Sequence, residues 1–156
     1  MKISAAFGRH HVLLVLASLV MGGCAGSGKD GLSGQRAEVV HAALSQIGTP
    51  YKYGGNQPGA GLDCSGLTYF AHRTVGVQIP RSSREQRQGA RPVKLKALRP
   101  GDMVFFGNEG VVDHVGLMVD QERFVHASTS KGKVMLARFG TPYWNARFVG
   151  AGTYLR

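Results

Sequence analysis

The hydrophobic pattern of this chain changes from helical to strand-like after Arg99-Pro100-Gly101. Before that point, apolar residues recur at three- and four-residue spacing; after it, short apolar stretches alternate with turn residues. Helices followed by closely spaced strands, with too little chain between them for crossover helices, indicate an α+β domain with an antiparallel sheet. The 156 residues suffice for one such domain.

Three helices are predicted before this change. The first begins near Ser33 and ends before Gly48, and the second covers about residues 64–75 with Asp63 as its N-cap. The third starts at Ser82, where Ser-Ser-Arg-Glu has the form of a capping box. Five strands are predicted after the change, over residues 102–106, 112–119, 123–128, 133–137 and 147–155.

Residues 1–23 have the features of an export leader. A basic start at Lys2 and Arg9 precedes an apolar run over residues 12–21, which is too short for the ~20 residues that cross a bilayer. The run leads into Gly-Gly-Cys, which resembles a lipoprotein processing box with Cys24 as the acylated mature N-terminus. The alternative is an ordinary secretory leader followed by a chance cysteine. The lipoprotein interpretation places the protein in the cell envelope, on the periplasmic side of the outer membrane if the host has one.

The residues after Cys24 divide into a tether and a domain. Residues 24–34 are rich in Gly, Ser and Lys, as in a flexible tether, and residues 35–156 form the folded domain. With Cys24 lipidated, Cys64 has no disulfide partner in the chain, and an unpaired exported cysteine suggests a chemical role. The cysteines and histidines lack the spacing of a metal site, and we expect neither a metal nor a cofactor.

The formal net charge of +10 favours a polyanionic partner. Nucleic acid, an anionic membrane and a charged cell-wall polymer would each satisfy this balance. The basic residues are scattered, without a basic block or an accompanying aromatic stacking motif. This distribution makes nucleic acid the least favoured partner of the three.

Cys64 is predicted in the first turn of a helix, where free N–H groups and the helix dipole favour a thiolate. On this reasoning its pKa should lie below the ~8.5 of a free thiol. The same N–H groups could stabilise an oxyanion after attack on a carbonyl. An isolated buried cysteine is, however, more often a small hydrophobic residue.

A base for Cys64 is sought among the histidines, and His114 and His126 flank a predicted turn. A hairpin centred on Gln121 places His126 opposite Gly116, which makes it a diagonal neighbour of His114 on the same face. An odd shift of register would put the two rings on opposite faces. A single strand histidine is usually structural, so the argument depends on the coincidence of the three residues.

Five motifs together resemble the NlpC-type family of papain-like cell-wall cysteine peptidases. They run in order along residues 36–154 and occupy residues 48–55 (GTPYKYGG), 62–67 (LDCSGL), 98–106 (LRPGDMVFF), 114–116 (HVG) and 124–128 (FVHAS). The resemblance implies a papain-like fold with N-terminal helices on an antiparallel sheet. It implies that Cys64 is the nucleophile, His114 the base and His126 the third polar member. It also implies substrate-side roles for Tyr51, Asp63 and Ser65.

The family cleaves peptide bonds in peptidoglycan, so the resemblance implies a cofactor-free hydrolase with peptidoglycan as its partner. Small lipoproteins of this kind resemble endopeptidases that open the D-alanine–diaminopimelate crosslink. Cleavage between D-glutamate and diaminopimelate remains an alternative, as does acyl or amide transfer. A non-catalytic wall-binding lipoprotein is the alternative from another class.

Overall fold

A computed structural model describes residues 30–156. It contains four α-helices and eight β-strands, and the helices are α1 (Asp30–Leu44), α2 (Cys64–Arg73), α3 (Ser83–Gly89) and α4 (Pro142–Arg147). The strands are β1 (Asn56–Gln57), β2 (Gly61–Leu62), β3 (Arg91–Val93), β4 (Met103–Asn108), β5 (Val111–Met118), β6 (Arg123–Ser128), β7 (Lys133–Arg138) and β8 (Phe148–Thr153). The predicted α+β class is therefore confirmed.

The predicted leader, residues 1–23, and the predicted lipid site at Cys24 lie outside the described residues. Residues 30–34, which the composition assigned to the tether, form the first turns of α1. Glycine disfavours a helix by only about 1 kcal/mol, so a Gly-rich stretch can extend a helix that is packed further along. None of the helices described over residues 30–156 is long and apolar enough to span a membrane.

Six strands form one antiparallel sheet in the order β3-β8-β4-β5-β6-β7. All five predicted strands are present in it, with ends that differ by at most two residues from those expected. The last strand, β8, inserts between β3 and β4, one strand in from the edge of the sheet. The predicted β5–β6 register is confirmed, because Leu117 pairs with Val125 and Met118 with Phe124.

Both faces of the sheet are covered. Alternate residues of β4 point to opposite faces, so Met103 and Phe105 join the larger apolar cluster with α1 and α2. Val104 and Phe106 join a smaller cluster with Trp144 of α4. The sheet is therefore a central layer with the early helices on one side and α4 on the other.

Asp102 braces the helical layer to the sheet. Its fully buried carboxylate pairs with Arg36 of α1 at 2.8 Å and accepts the backbone N–H of Arg99 at 2.8 Å. The guanidinium of Arg36 also donates to the carbonyl of Pro100. These contacts fix α1 against the chain that enters β4.

Candidate active site

Cys64 is the first residue of α2, and Asp63 caps the helix as predicted. The Asp63 carboxylate accepts the N–H of Gly66 at 2.6 Å and that of Gly54 at 2.9 Å. A Cβ at position 66 would overlap the carbonyl of Gly55, so glycine allows the loop before α2 to pack directly on its first turn. Contacts with the preceding loop and within the first turn of α2 thus fix the position of Cys64.

Arg81 clamps this cap, and nothing in the sequence pattern predicted it. Its guanidinium contacts both carboxylate oxygens of Asp63, at 2.9 and 2.7 Å, and the hydroxyl of Ser65 at 2.9 Å. Arg81 also donates to the carbonyl of Gly55 at 3.0 Å. Asp63 and Arg81 are separated by 18 residues that include all of α2, so no local spacing links them.

Gln86 of α3 contacts the same region, and the sequence analysis did not identify this residue either. It is fully buried, and its amide nitrogen donates to the carbonyls of Ser65 at 3.0 Å and Pro80 at 2.8 Å. Its amide oxygen accepts the hydroxyl of Thr68 at 2.8 Å. The side chain therefore joins the first turn of α2 to the segment that carries Arg81.

The structure brings His114 and His126 together. Nε2 of His114 lies 2.8 Å from Nδ1 of His126, with the rings nearly perpendicular. Their contact follows from the predicted hairpin register, which places the two residues diagonally on one face. Because Nε2 of His114 is used in this contact, Nδ1 is the ring nitrogen that remains for proton exchange.

Aromatic residues enclose the histidine pair. The indole of Trp144 stacks on the His114 ring at 5.8 Å with an angle of 18°, and it contacts His126 edge-on at 5.2 Å. Phe106 lies 6.4 Å from the His114 ring. Trp144 belongs to α4, a helix that the sequence analysis did not predict, although Thr141-Pro142 is a recognisable helix start.

Cys64 meets the sheet beside His114. The backbone N–H of Val115, the residue that follows His114, lies close enough to act on the ionisation of the Cys64 thiol. Tyr51, Asp63, Ser65 and Arg81 line the same cleft as Cys64. A second cleft contains His114 and His126, and Asp113 lines both clefts. The six predicted site residues of the domain therefore line two neighbouring clefts that share Asp113.

The pKa of Cys64 contradicts the expectation from its helix position. Burial raises it to about 11, and the charge of Asp63 acts in the same direction. The N–H groups of Val115, Ser65 and Cys64 itself lower it, as a helix N-terminus should, but burial outweighs them. Burial likewise raises the pKa of Tyr51, with smaller effects from Cys64 and Asp63.

The pKa values of both histidines are lowered, which makes them weaker bases than an exposed histidine. Burial lowers the pKa of His114 to about 4, with a smaller contribution from the nearby charge of Arg147. Burial lowers the pKa of His126 to about 3, with a smaller effect from His114. Near neutral pH the thiol and both imidazoles are therefore uncharged. Within residues 30–156 no three His, Cys, Asp or Glu side chains are grouped as metal ligands.

This arrangement suits general-base activation of a thiol. A neutral His114 with Nδ1 unprotonated carries its proton on Nε2, which then donates to Nδ1 of His126. The low pKa of His126 keeps that nitrogen available as an acceptor. His126 thus favours the His114 tautomer that can receive a proton from a thiol.

Comparison with known proteins supports a single family. The family model described as the NlpC/P60 family matches residues 48–153. The chain is 36% identical over 118 residues to the murein DD-endopeptidase MepH of Escherichia coli, covering 72% of this chain and 44% of that protein. It is 34% identical over 117 residues to the gamma-DL-glutamyl hydrolase of Bacillus subtilis, covering 72% and 28%. The chain thus spans less than half the length of these two relatives.

Solved structures agree with this match. The peptidoglycan hydrolase RipB from Mycobacterium tuberculosis superposes with a TM-score of 0.71 at 30% identity, covering 82% of this chain and 68% of that one. An NlpC/P60 family protein from Bacillus cereus gives a TM-score of 0.73 at 27% identity, covering 78% and 40%. The family match takes in both the α2 start with Cys64 and the strands that carry the two histidines. This chain belongs to the NlpC/P60 family.

Proposed function

We propose that this chain is a cysteine endopeptidase that hydrolyses peptidoglycan stem peptides at the D-alanine–diaminopimelate crosslink. The observation that carries the proposal is the position of Cys64 at the start of α2, against β5 beside His114, whose ring is held by His126. The relative named murein DD-endopeptidase MepH supports the substrate class and the bond. The family resemblance at all three catalytic positions agrees with it.

In the proposed reaction, Cys64 attacks the scissile carbonyl carbon as its proton passes to Nδ1 of His114. The N–H groups at the start of α2 stabilise the oxyanion. His114 then gives its proton to the leaving amine, and the C–N bond breaks to leave a thioester on Cys64. Water attacks the thioester as His114 accepts its proton, which returns to the sulfur as the carboxylic acid product leaves.

Tyr51, Asp63 and Ser65 are proposed to receive the amino or acidic groups of the stem peptide beside the scissile bond. All three line the cleft that contains Cys64. The Asp63 carboxylate caps α2 and pairs with Arg81, so its orientation in the cleft is fixed before a peptide binds. Arg81 joins this set as a residue that positions Asp63 and Ser65.

A second bond is the alternative, cleavage between D-glutamate and diaminopimelate within one stem. The relative named gamma-DL-glutamyl hydrolase favours it. The same Cys64–His114 chemistry would serve both bonds, because each is an amide. The difference would lie in which part of the peptide the cleft holds.

The test is mass spectrometry of muropeptides after incubation of purified crosslinked dimers and of isolated tetrapeptide stems. Crosslink cleavage converts dimers to monomers and leaves the isolated stems intact. Cleavage after D-glutamate would shorten both substrates and would replace the proposed bond. Release of neither product, with the Cys64→Ala chain as the matched control, would refute the enzymatic function.

We further propose that residues 1–23 are a leader and that lipidated Cys24 anchors the protein to the membrane, on the periplasmic side of an outer membrane where one is present. The basis is the Gly-Gly-Cys sequence after a short apolar run. Several acyl chains at about 0.8 kcal/mol per buried methylene would hold the protein firmly. Loss of Lys2 and Arg9 with the leader would lower the net charge from +10 to +8, which would still favour contact with an acidic wall.

A further inference from the structure

The cleft that contains Cys64 continues into a neighbouring cavity between α3, β3, β5 and β8. Arg84 and Val112 line both spaces, so they form the border between them. A peptide that places a carbonyl at Cys64 can therefore extend into the cavity without leaving the surface. The resemblance of the motifs to the family assigns no role to this cavity.

Two guanidinium groups line the cavity, Arg84 and Arg87 of α3. Nε of Arg84 donates to the carbonyl of Val112 at 3.2 Å, which holds this arginine at the border with the Cys64 cleft. Nε of Arg87 is buried and has no hydrogen-bond partner in the described part of the chain. Over residues 30–156 the ion pairs involve other arginines, so neither of these two cations is neutralised by a carboxylate there.

The position of Arg87 depends on a glycine in β8. Its guanidinium lies 5.9 Å above the ring of Phe105. A Cβ on Gly150 would come within 3.0 Å of Nη2 and 3.1 Å of Nε, so a larger residue would displace the group. The Arg87 charge thus lies between Phe105 and the backbone of Gly150, at the wall of the cavity.

Small aliphatic side chains complete the wall. They come from Ala90, Pro92, Val111, Val112 and Val149. Val111 is 52% exposed, which is unusual for a valine at the end of a central strand and leaves apolar surface for a ligand. A carboxylate attached to a small aliphatic group matches both features, because arginine forms paired hydrogen bonds with carboxylates. Arg87 is partly buried and has no carboxylate partner in the described part of the chain, which is unfavourable, so binding such a group would offset that cost.

We propose that this cavity binds a free carboxylate of the stem peptide through Arg84 and Arg87, with an adjacent aliphatic side chain against the valines. The inference rests on the proposed function and deepens it, since it adds a specificity determinant to the same groove. The site selects peptides whose carboxylate is free over those in which it is amidated.

The experiment measures binding, so that it does not depend on turnover. In the Cys64→Ala chain, calorimetry compares the tetrapeptide L-Ala–γ-D-Glu–diaminopimelate–D-Ala with versions in which one carboxylate at a time is converted to the amide. Amidation of the carboxylate that the cavity binds should weaken binding about tenfold, the usual effect of losing a charge-assisted hydrogen bond. Arg84→Gln and Arg87→Gln should each weaken binding of the free acid about tenfold and leave the affinity for that amide within about twofold.

Arg138→Gln is the matched control, because Arg138 is 73% exposed on β7, at the opposite edge of the sheet. This variant should bind the free-acid peptide and its amide with the same affinities as the Cys64→Ala chain. If a glutamine variant does not fold, Arg84→Lys or Arg87→Lys retains the charge and should keep most of the preference for the free acid. Equal losses for acid and amide, unchanged binding in both arginine variants, or no binding of the tetrapeptide would each overturn the proposal.

The outcome is separable from that of the proposed function. An arginine-dependent preference for the free acid in a protein that does not cleave the wall would sustain the carboxylate site and remove the peptidase. Wall cleavage at the crosslink by a protein without this preference would sustain the peptidase and remove the carboxylate site.

Discussion

At the scale of single residues, the candidate site is a neutral thiol that lies against the backbone of β5, the strand that carries His114 and its neutral imidazole. Burial raises the pKa of Cys64 to about 11 and lowers the pKa of His114 to about 4. Burial of both groups thus disfavours a preformed thiolate–imidazolium pair near pH 7. In the proposed reaction the proton moves from sulfur to nitrogen as the carbonyl is attacked, and the contact with His126 stabilises the charge that His114 would then acquire.

The two histidines should differ in importance. His114→Ala removes the group that transfers the proton and should lower kcat by about 10²- to 10⁴-fold. His126→Ala removes only the hydrogen bond that orients that group, so its effect on kcat should be the smaller of the two. Steady-state kinetics on a crosslinked muropeptide dimer measures both losses. Equal or reversed losses would contradict the assignment of base and orienting group.

Sequence reasoning was weakest for the properties that depend on burial and on distant chain segments. The helix-start position of Cys64 correctly identified N–H groups that stabilise a thiolate, but it carried no information on the opposing burial. Arg81 and Trp144 contact the site from segments whose approach only the folded chain defines. The His114–His126 contact was predictable because a hairpin register depends on local pattern and turn position.

At the scale of secondary-structure elements, the start of α2 is held by a loop and by α3. Arg81 holds the Asp63 cap, and Gln86 holds the carbonyl of Ser65 and the hydroxyl of Thr68. The Asp63 cap was predictable because N-capping is local, and the helix was predictable from the spacing of its apolar residues. The insertion of β8 between β3 and β4 was not, because pairing between such distant strands leaves no periodic signal.

Gln86→Ala should be strongly destabilising. It removes three hydrogen bonds from a fully buried side chain and leaves the hydroxyl of Thr68 without that partner. We expect the free energy of unfolding to fall by about 2–4 kcal/mol, since buried unpaired groups cost about 1–3 kcal/mol each. Urea denaturation measures the change.

Gln88→Ala on the same helix is the control for this change. Gln88 is exposed, and surface substitutions usually change stability by less than about 0.5 kcal/mol. If both glutamine variants were equally stable, Gln86 would not hold α2 and α3 together.

At the scale of the whole molecule, three buried histidines should make stability depend on pH. Burial lowers the pKa of His72 and His114 to about 4 and that of His126 to about 3. Below the ~6.5 of an exposed histidine, the unfolded chain is protonated at these positions while the folded chain is not. The unfolded state then binds more protons, so the free energy of unfolding falls as the pH falls from about 6.5 towards 4.

Urea titrations at pH 7, 6 and 5 test this dependence. Each histidine should contribute up to about 1.4 kcal/mol per pH unit over that window. His72→Leu should reduce the slope by about one histidine's share without touching the candidate site, because His72 contacts Thr68 and Tyr154 instead. A stability that is constant or increases from pH 7 to pH 5 would contradict the burial of neutral rings.

The proposed anchor is also a property of the whole molecule. Cys24→Ser should move the protein from the membrane fraction to the soluble fraction of the envelope, because serine cannot carry the thioether-linked lipid. Immunoblotting of the two fractions measures the shift. Cys24→Ser protein that still fractionates with membranes would show that another part of the chain holds it there.

The most direct test of the Cys64–His114 mechanism is the loss of activity as Cys64 is alkylated. Cys64 is the one free cysteine in the described part of the chain, so peptide mapping after partial treatment with iodoacetamide gives the fraction modified at that sulfur. The mechanism predicts that the rate of crosslink hydrolysis falls in proportion and reaches zero at one modified Cys64 per chain. Hydrolysis that persists when Cys64 is fully modified would contradict it.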